Sequence, residues 1–72
     1  MKTYDNFDIS DKIDRYIHSA RDRAILRDHF VDGVSIIDLS QKYILSNRTV
    51  WGILKRGADV ISEYMELYLH EN

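Results

Sequence analysis

The chain has 72 residues, a formal net charge of −2 at pH 7, no cysteine and no proline. A chain of this length forms one domain with a small core, and the lack of cysteine excludes a disulfide framework and a thiolate zinc site. No apolar run approaches the roughly 20 residues that a membrane-spanning helix needs, and the N-terminal MKTYDNFD lacks an apolar signal core. We therefore expect a single cytoplasmic domain over residues 1–72.

The first eight residues are polar, and we expect them to form an arm. Apolar residues then recur at the spacing of one helical face, which predicts a first helix over residues 9–18. These residues are Ile9, Ile13, Tyr16 and Ile17. Asp8 with Asp11 three residues later, or alternatively Ser10, would cap the N-terminus of this helix.

Ser19 with Asp22 forms a second capping box, which separates the first helix from a second one over residues 20–31. Gly33 can take a positive φ and so provides the end of this helix. The residues expected to face inward are Ala24, Ile25, Phe30 and Val31, with Leu26 at the edge.

Ser35 with Asp38 forms a third capping box, and it opens a helix over residues 36–43. Ser46 then caps a fourth helix over residues 47–56. The buried stripes of these two helices are predicted to be Ile36, Leu39 and Tyr43 in the third, and Val50, Ile53 and Leu54 in the fourth.

Gly57 is predicted to end the fourth helix, and Asp59 to cap a fifth over residues 59–70. About three residues join the third helix to the fourth, too few for an antiparallel hairpin packed along its length. These two helices must therefore cross steeply, as in a helix-turn-helix. The expected fold is all-α, a small bundle of about five helices containing a helix-turn-helix.

The segment DLSQKYILSNRTVWGILKR resembles the helix-turn-helix of bacterial tetrahelical DNA-binding domains, namely the promoter-reading C-terminal domain of sigma factors and the LuxR-type output domain. Leu39-Ser40, Tyr43, Ser46 and Val50 occupy the shared positions, and the resemblance covers roughly residues 19–61. Ser40 stands where these families usually have Ala. The resemblance implies a bacterial or bacteriophage origin, and the start at Met1 favours a stand-alone regulator.

The turn residue of this segment is Ile44, where those families usually have Gly. A β-branched residue in a left-handed turn is strained. We therefore expect the turn between the third and fourth helices to have a different geometry.

Charge is distributed unevenly along the chain. Residues 1–38 carry a net charge of −2 and residues 59–72 a net charge of −4. Residues 39–58 contain four basic residues and no acidic one, which gives +4. Contact with phosphate is local, since charges are screened within about 10 Å at ordinary salt. This stretch therefore suits DNA binding by a net acidic protein; the alternative is chance clustering.

The face of the fourth helix opposite its buried stripe carries Asn47, Arg48, Trp51 and Lys55. In the resembling families this face enters the major groove, where Arg pairs with guanine and Asn with adenine. The predicted DNA-binding residues are Lys42, Ser46, Asn47, Arg48, Thr49, Trp51, Lys55 and Arg56. Alternatively, Ser46 is chiefly a cap, Arg48 is solvated or paired with Asp38, and Trp51 packs under the fifth helix or in a dimer.

The apolar stripe of the last helix is broad for a helix at a chain end. It predicts a surface for a homodimer or another partner, formed by Ile61, Tyr64, Met65 and Tyr68. The alternative is that the N-terminal helix covers this surplus.

The sequence thus predicts sequence-specific binding of double-stranded DNA and regulation of transcription. The alternative is a protein-binding adaptor or inhibitor on the same scaffold, with RNA polymerase or another nucleic-acid enzyme as partner. His18, His29 and His70 share neither a face nor a short spacing, so no metal site is expected. No catalytic constellation and no cofactor motif can be placed, so an enzyme is not expected.

Overall fold

The computed structural model describes the backbone of residues 6–70 and the side chains of residues 8–64. Four helices make up this part of the chain, and it contains no strand: α1 Asn6–Tyr16, α2 Ala20–Phe30, α3 Ile36–Tyr43 and α4 Asn47–His70. The expected all-α class is confirmed, but the number of helices is four rather than five. None of these four helices is long and apolar enough to cross a membrane.

The helix α1 begins three residues before its predicted start. Residues 6–8 therefore belong to the helix rather than to an arm, and residues 1–5 lie outside the described part. The predicted caps are wrong, because Asp8 lies in the first turn and Ser10 inside the helix. Asp8 instead accepts a hydrogen bond from Lys12 Nζ at 3.0 Å, and Ser10 Oγ accepts one from Arg27 Nε at 3.1 Å.

The end of α1 is closed by a side chain from α2. The helix ends at Tyr16 rather than at His18. The Arg23 guanidinium donates to the carbonyl oxygens of Ile17 at 2.7 Å and His18 at 2.9 Å. Carbonyl groups at the C-terminal end of a helix lack intrahelical donors. No glycine lies next to the end of α1 to form a capping turn, and the Arg23 side chain donates to the two carbonyls there instead. The helix α2 likewise ends one residue early, at Phe30.

Three serines cap helices as predicted. Each hydroxyl oxygen accepts a backbone N–H from the residue three positions later: Asp22 to Ser19 at 3.3 Å, Asp38 to Ser35 at 3.2 Å, and Thr49 to Ser46 at 3.1 Å. Each bond satisfies one of the N–H groups that lack an acceptor at a helix start. The starts of α2, α3 and α4 are therefore as the sequence predicts.

Two residues of the described part have a positive φ. Gly33, in the connection after α2, has φ 76°, the positive value that it is expected from the sequence to accommodate. Ile44 has φ 57° and ψ 54°, so the expectation of a different turn geometry after α3 is wrong. The N–H groups of both Ile44 and Leu45 donate to the carbonyl of Ser40. These bonds close the helix and hold Ile44 in the left-handed conformation, while its side chain is 89% exposed.

Gly57 does not end a helix, which is why the predicted fourth and fifth helices are one. The helix α4 runs through it, and Asp59 lies in the helix interior rather than at a cap. Gly57 is buried under α2, and a Cβ there would lie 2.5 Å from Leu26 Cδ2. Leu26 itself is fully buried in the core, not at its edge. Because glycine has no side chain, α2 and α4 can pack closely at this position.

The core draws on all four helices. Its buried members are Ile13, Ile25, Leu26, Leu39, Val50, Ile53, Leu54 and Ile61. The helix α4 packs on each of the other three helices. This packing uses one side of α4 and turns the opposite side outward.

Candidate nucleic-acid interface

The outward face of α4 carries most of the residues predicted to bind DNA. Val50, Ile53 and Leu54 are buried, at 0%, 2% and 6% exposure, as predicted from their spacing. A helix buried on one side presents the other to solvent. The exposed predicted residues on α4 are Asn47, Arg48, Thr49, Trp51, Lys55 and Arg56. The structure therefore brings these six side chains together on one accessible surface, which we call the outward α4 face.

The N-terminus of α4 is suited to an anion. Ser46 accepts the N–H of Thr49 and donates its hydroxyl to Thr49 Oγ1 at 2.9 Å. The first turn of α4 contains no acidic residue. The N–H groups and the helix dipole place a partial positive charge at such an end. Ser46 is itself exposed, so this charge is open to solvent.

Arg48 and Arg56 carry their charge to solvent. Within the described residues, neither has a carboxylate oxygen within 4 Å. Arg56 lies back along α4 over Gly52, where a Cβ would be 3.2 Å from its terminal nitrogen. Lys55 has a long contact of 4.0 Å to Asp59, with both side chains more than half exposed. Such a pair contributes little, so all three cations are available to an external anion.

Lys42 differs from the other cations because it is held by Asp28 of α2. Lys42 Nζ donates to Asp28 Oδ2 at 2.8 Å, and Tyr43 OH donates to the same oxygen at 2.7 Å. The bond from Lys42, and then that from Tyr43, lowers the pKa of Asp28, whereas partial burial opposes this shift. The same contacts raise the pKa of Lys42, chiefly through the hydrogen bond to Asp28. Burial, and then the bond to Asp28, raises the pKa of Tyr43.

A shallow groove of about 250 Å³ borders the outward α4 face. Its lining is mostly apolar: His29, Phe30, Ile36, Trp51, Leu54, Lys55 and Ala58. Trp51 is 55% exposed, so it contacts this groove on one side and solvent on the other. The His29 ring packs edge-to-face on Phe30, and its Nδ1 donates to the Val34 carbonyl at 2.8 Å. Sequence reasoning missed the groove because residues of three different helices form it.

The predicted partner surface on the last helix is partly used within the chain. Ile61 is a core residue, only 6% exposed. The Tyr64 ring stacks on Tyr16 of α1, with ring centroids 3.6 Å apart and planes 7° from parallel. This is the arrangement expected if the N-terminal helix covers the apolar surplus. The side chains of Met65 and Tyr68 lie outside the described residues.

Comparisons with protein-family models, with curated proteins and with solved structures each found no match to this chain. The likeness to sigma-factor and LuxR-type domains therefore stays a prediction from the sequence pattern. What the surface can bind has to be argued from its own residues.

Proposed function

We propose that this protein binds double-stranded DNA in a sequence-dependent way and so regulates transcription. In this proposal α3 and α4 form a helix-turn-helix, and residues 47–56 of α4 enter the major groove. One observation carries it. The outward α4 face combines Arg48, Lys55 and Arg56 with no acidic residue across positions 39–58.

The dimensions of this segment support the proposal. Ten helical residues extend about 15 Å, and the major groove is about 12 Å wide. Asn47 and Arg48 are in the first turn, where side chains of an inserted helix meet base edges, and each can make two hydrogen bonds with one base. Lys55 and Arg56 lie two turns further along, at the distance of the phosphate backbone. Lys42 is the weakest member of the set, since Asp28 already binds it.

The net charge of −2 does not oppose this function. Most acidic side chains of α1 form ion pairs with lysine or arginine side chains. Asp8 contacts Lys12 at 3.0 Å, and Asp11 contacts Arg15 at 3.0 Å. Charges more than about 10 Å apart are screened at ordinary salt. A phosphate at the outward α4 face therefore experiences the local cations more strongly than the total charge.

The first experiment is a titration of the protein with random and genomic-fragment duplexes at low and moderate salt. Trp51 is the single tryptophan and lies half-exposed on the proposed surface, so its fluorescence reports contact directly. Labelled DNA followed by anisotropy gives an independent Kd. We expect binding that weakens steeply with salt and stays tighter for some fragments than for others. Absence of binding even at low salt would refute the proposal.

Charge reversal at Arg48 tests where the DNA lies. Arg48→Glu should abolish binding, because it replaces a major-groove donor with a charge that phosphates repel. Arg15→Glu is the control, since this side chain is likewise exposed, at 65%, but belongs to α1. It should bind within about twofold of the wild type, because it lies outside the proposed contact surface. Retained binding by Arg48→Glu would exclude this docking.

The groove beside Trp51 favours a second candidate function, that of a protein-binding adaptor or inhibitor. Ile37 of α3, which follows Ile36 of the groove lining in sequence, is a further exposed apolar residue, at 60% exposure. Half-exposed aromatic residues next to apolar pockets are typical anchor points of protein interfaces. RNA polymerase, another nucleic-acid enzyme or a second copy of this chain would be the partner. This function would survive Arg48→Glu, which separates it from DNA binding.

A further inference from the structure

The continuity of α4 aligns acidic residues with basic ones along two neighbouring lines on its outward side. Successive residues of an α-helix are rotated by about 100°. Lys55 and Asp59, seven and eleven residues after Arg48, therefore lie within about 20° of the direction of Arg48. Glu63 lies within about 20° of Arg56, by the same spacing of seven. A break at Gly57 would have let the segments before and after it point in different directions, so that these residues would not align. The helix α4 has no break there.

The acidic residues of these two lines, Asp59 and Glu63, are close to the cations, and among the described residues no basic nitrogen approaches either of them closer than 4.0 Å. Asp59 lies about 6 Å beyond Lys55 along the helix axis, and Glu63 about 10 Å beyond Arg56. These distances are near the screening length of about 8–10 Å. Both carboxylates are exposed, Asp59 at 74% of its side chain. The contact of Asp59 with Lys55 is 4.0 Å long and solvated, so it masks little of either charge.

Duplex DNA presents a phosphate charge about every 1.7 Å along its axis. The basic segment of α4 is about as long as the major groove is wide. Asp59 and Glu63 lie at the point where α4 would leave the major groove and come close to the sugar-phosphate backbone of the DNA. Phosphates there would be repelled rather than bound.

We infer that Asp59 and Glu63 act as an electrostatic limit that confines duplex DNA to the N-terminal half of α4. This inference rests on the proposed DNA binding. The helix then enters the groove by its N-terminal end, with its axis inclined, rather than lying along the groove for all of its 24 residues. The two carboxylates also subtract from the sequence-independent attraction to phosphates. Base contacts near Asn47 and Arg48 thereby supply a larger share of the binding.

The test is the double variant Asp59→Asn/Glu63→Gln, which removes two charges with little change of shape. Kd is measured for a preferred duplex and for a mixed-sequence duplex across a salt series. We expect both duplexes to bind about threefold to tenfold more tightly at low salt, with the gain shrinking as salt rises. Asp32→Asn is the control, since it removes one exposed negative charge from the α2–α3 connection. It should change Kd by less than about twofold.

The outcomes separate this inference from the function on which it rests. If the wild type binds DNA and the double variant binds no more tightly, the limit does not exist and DNA binding stands. An equal gain from Asp32→Asn would also overturn the inference, because net charge rather than position would then be the cause. If the wild type binds no duplex, the proposed function and this inference both fail.

Discussion

Gly57 of α4 lies directly against the side chain of Leu26 in α2. A Cβ at position 57 would be 2.5 Å from Leu26 Cδ2 and 2.6 Å from its Cδ1. Leu26 is fully buried, and it borders a small cavity of about 100 Å³ together with Gly57. This contact lets α2 and α4 approach closely in the middle of the bundle. It also explains why a glycine lies inside a continuous helix that carries the outward α4 face.

The variant Gly57→Ala should lower the free energy of unfolding. Alanine is favoured over glycine in a helix interior by about 1 kcal/mol, but a Cβ 2.5 Å from Leu26 Cδ2 overpacks this contact, and overpacking costs about 1–3 kcal/mol. We expect a net loss of about 1 kcal/mol, measured by urea unfolding followed by circular dichroism. Gly52→Ala is the matched control on the same helix, because its Cβ would meet only the flexible end of Arg56. It should stabilise by about 0.5–1 kcal/mol. A stabilising Gly57→Ala would contradict the packing role.

The variant Ile44→Gly should stabilise the protein. Ile44 is in the left-handed conformation, which costs a residue with a Cβ about 1–2 kcal/mol, and its exposed side chain contributes little packing. Part of that gain is offset by the greater backbone entropy that glycine loses on folding. We expect a net gain of about 0.5–1 kcal/mol in thermal or urea unfolding. Ile37→Gly, exposed but helical, should instead destabilise by up to about 1 kcal/mol.

The stability of the protein should decline in acid partly because of Asp28. The hydrogen bonds from Lys42 and Tyr43 lower its pKa in the folded state below the ordinary value of 3.8. A carboxylate with a depressed folded pKa contributes stability that is complete above its unfolded pKa. That contribution is lost as the pH falls through the folded pKa. The relevant window therefore begins just below pH 4 and extends downward.

Asp28→Asn tests this dependence. At pH 7 it should lower the free energy of unfolding by about 1 kcal/mol, since the amide keeps a weaker acceptor for Tyr43 OH. Below pH 4 its stability should fall less steeply with decreasing pH than that of the wild type. Asp32→Asn, at an exposed turn position, should leave the acid decline unchanged. An acid decline of Asp28→Asn parallel to the wild type would show that Asp28 does not contribute.

Substitutions at Ser46 should separate folding from DNA binding. Ser46→Asp keeps a good N-cap, with a charge that suits the helix dipole, so stability should be maintained. The new carboxylate lies at the N-terminus of α4, the end suited to a DNA phosphate, and binding should weaken about tenfold or more. Ser46→Ala should do the reverse. It loses about 1 kcal/mol of stability with its cap, and it keeps most of the DNA affinity.

The control for Ser46→Asp is Ser35→Asp, which makes the same change at the N-cap of α3. This position lies outside the outward α4 face, so stability and DNA affinity should both stay near wild-type values. Duplex anisotropy and thermal unfolding measure the two effects on the same samples. Equal weakening by both aspartates would indicate a general effect of charge and would contradict a phosphate contact at Ser46.

Local patterns predicted most helix starts because the interactions that define them span three or four residues. Ser19, Ser35 and Ser46 are caps in the structure, and Val50, Ile53 and Leu54 form the buried side of α4. The outward α4 face follows from the same periodicity, since burial of one side exposes the other. These features needed no knowledge of the rest of the fold.

The missing break in α4 shows how a distant residue can decide local structure. Glycine is typical of a helix end, but Gly57 lies inside α4, where it packs against Leu26, 31 positions earlier in the sequence. The turn at Ile44 is decided locally instead, since two hydrogen bonds to the Ser40 carbonyl hold its left-handed conformation despite the β-branched side chain. The predicted phosphate contact of Lys42 stays a prediction, and in the structure its ammonium group donates to Asp28 of α2.

The sequence by itself determined the all-α class, the positions of the capping serines and the basic segment that lies outward on α4. These depend on propensity, capping and helical period, which act within a turn or two of chain. The tertiary structure alone decided that α4 is one helix, that Tyr64 stacks on Tyr16 and that Asp59 shares a line with Arg48 and Lys55. Each of these depends on contacts between segments far apart in sequence, whose combined burial outweighs a local preference of about 1 kcal/mol at Gly57.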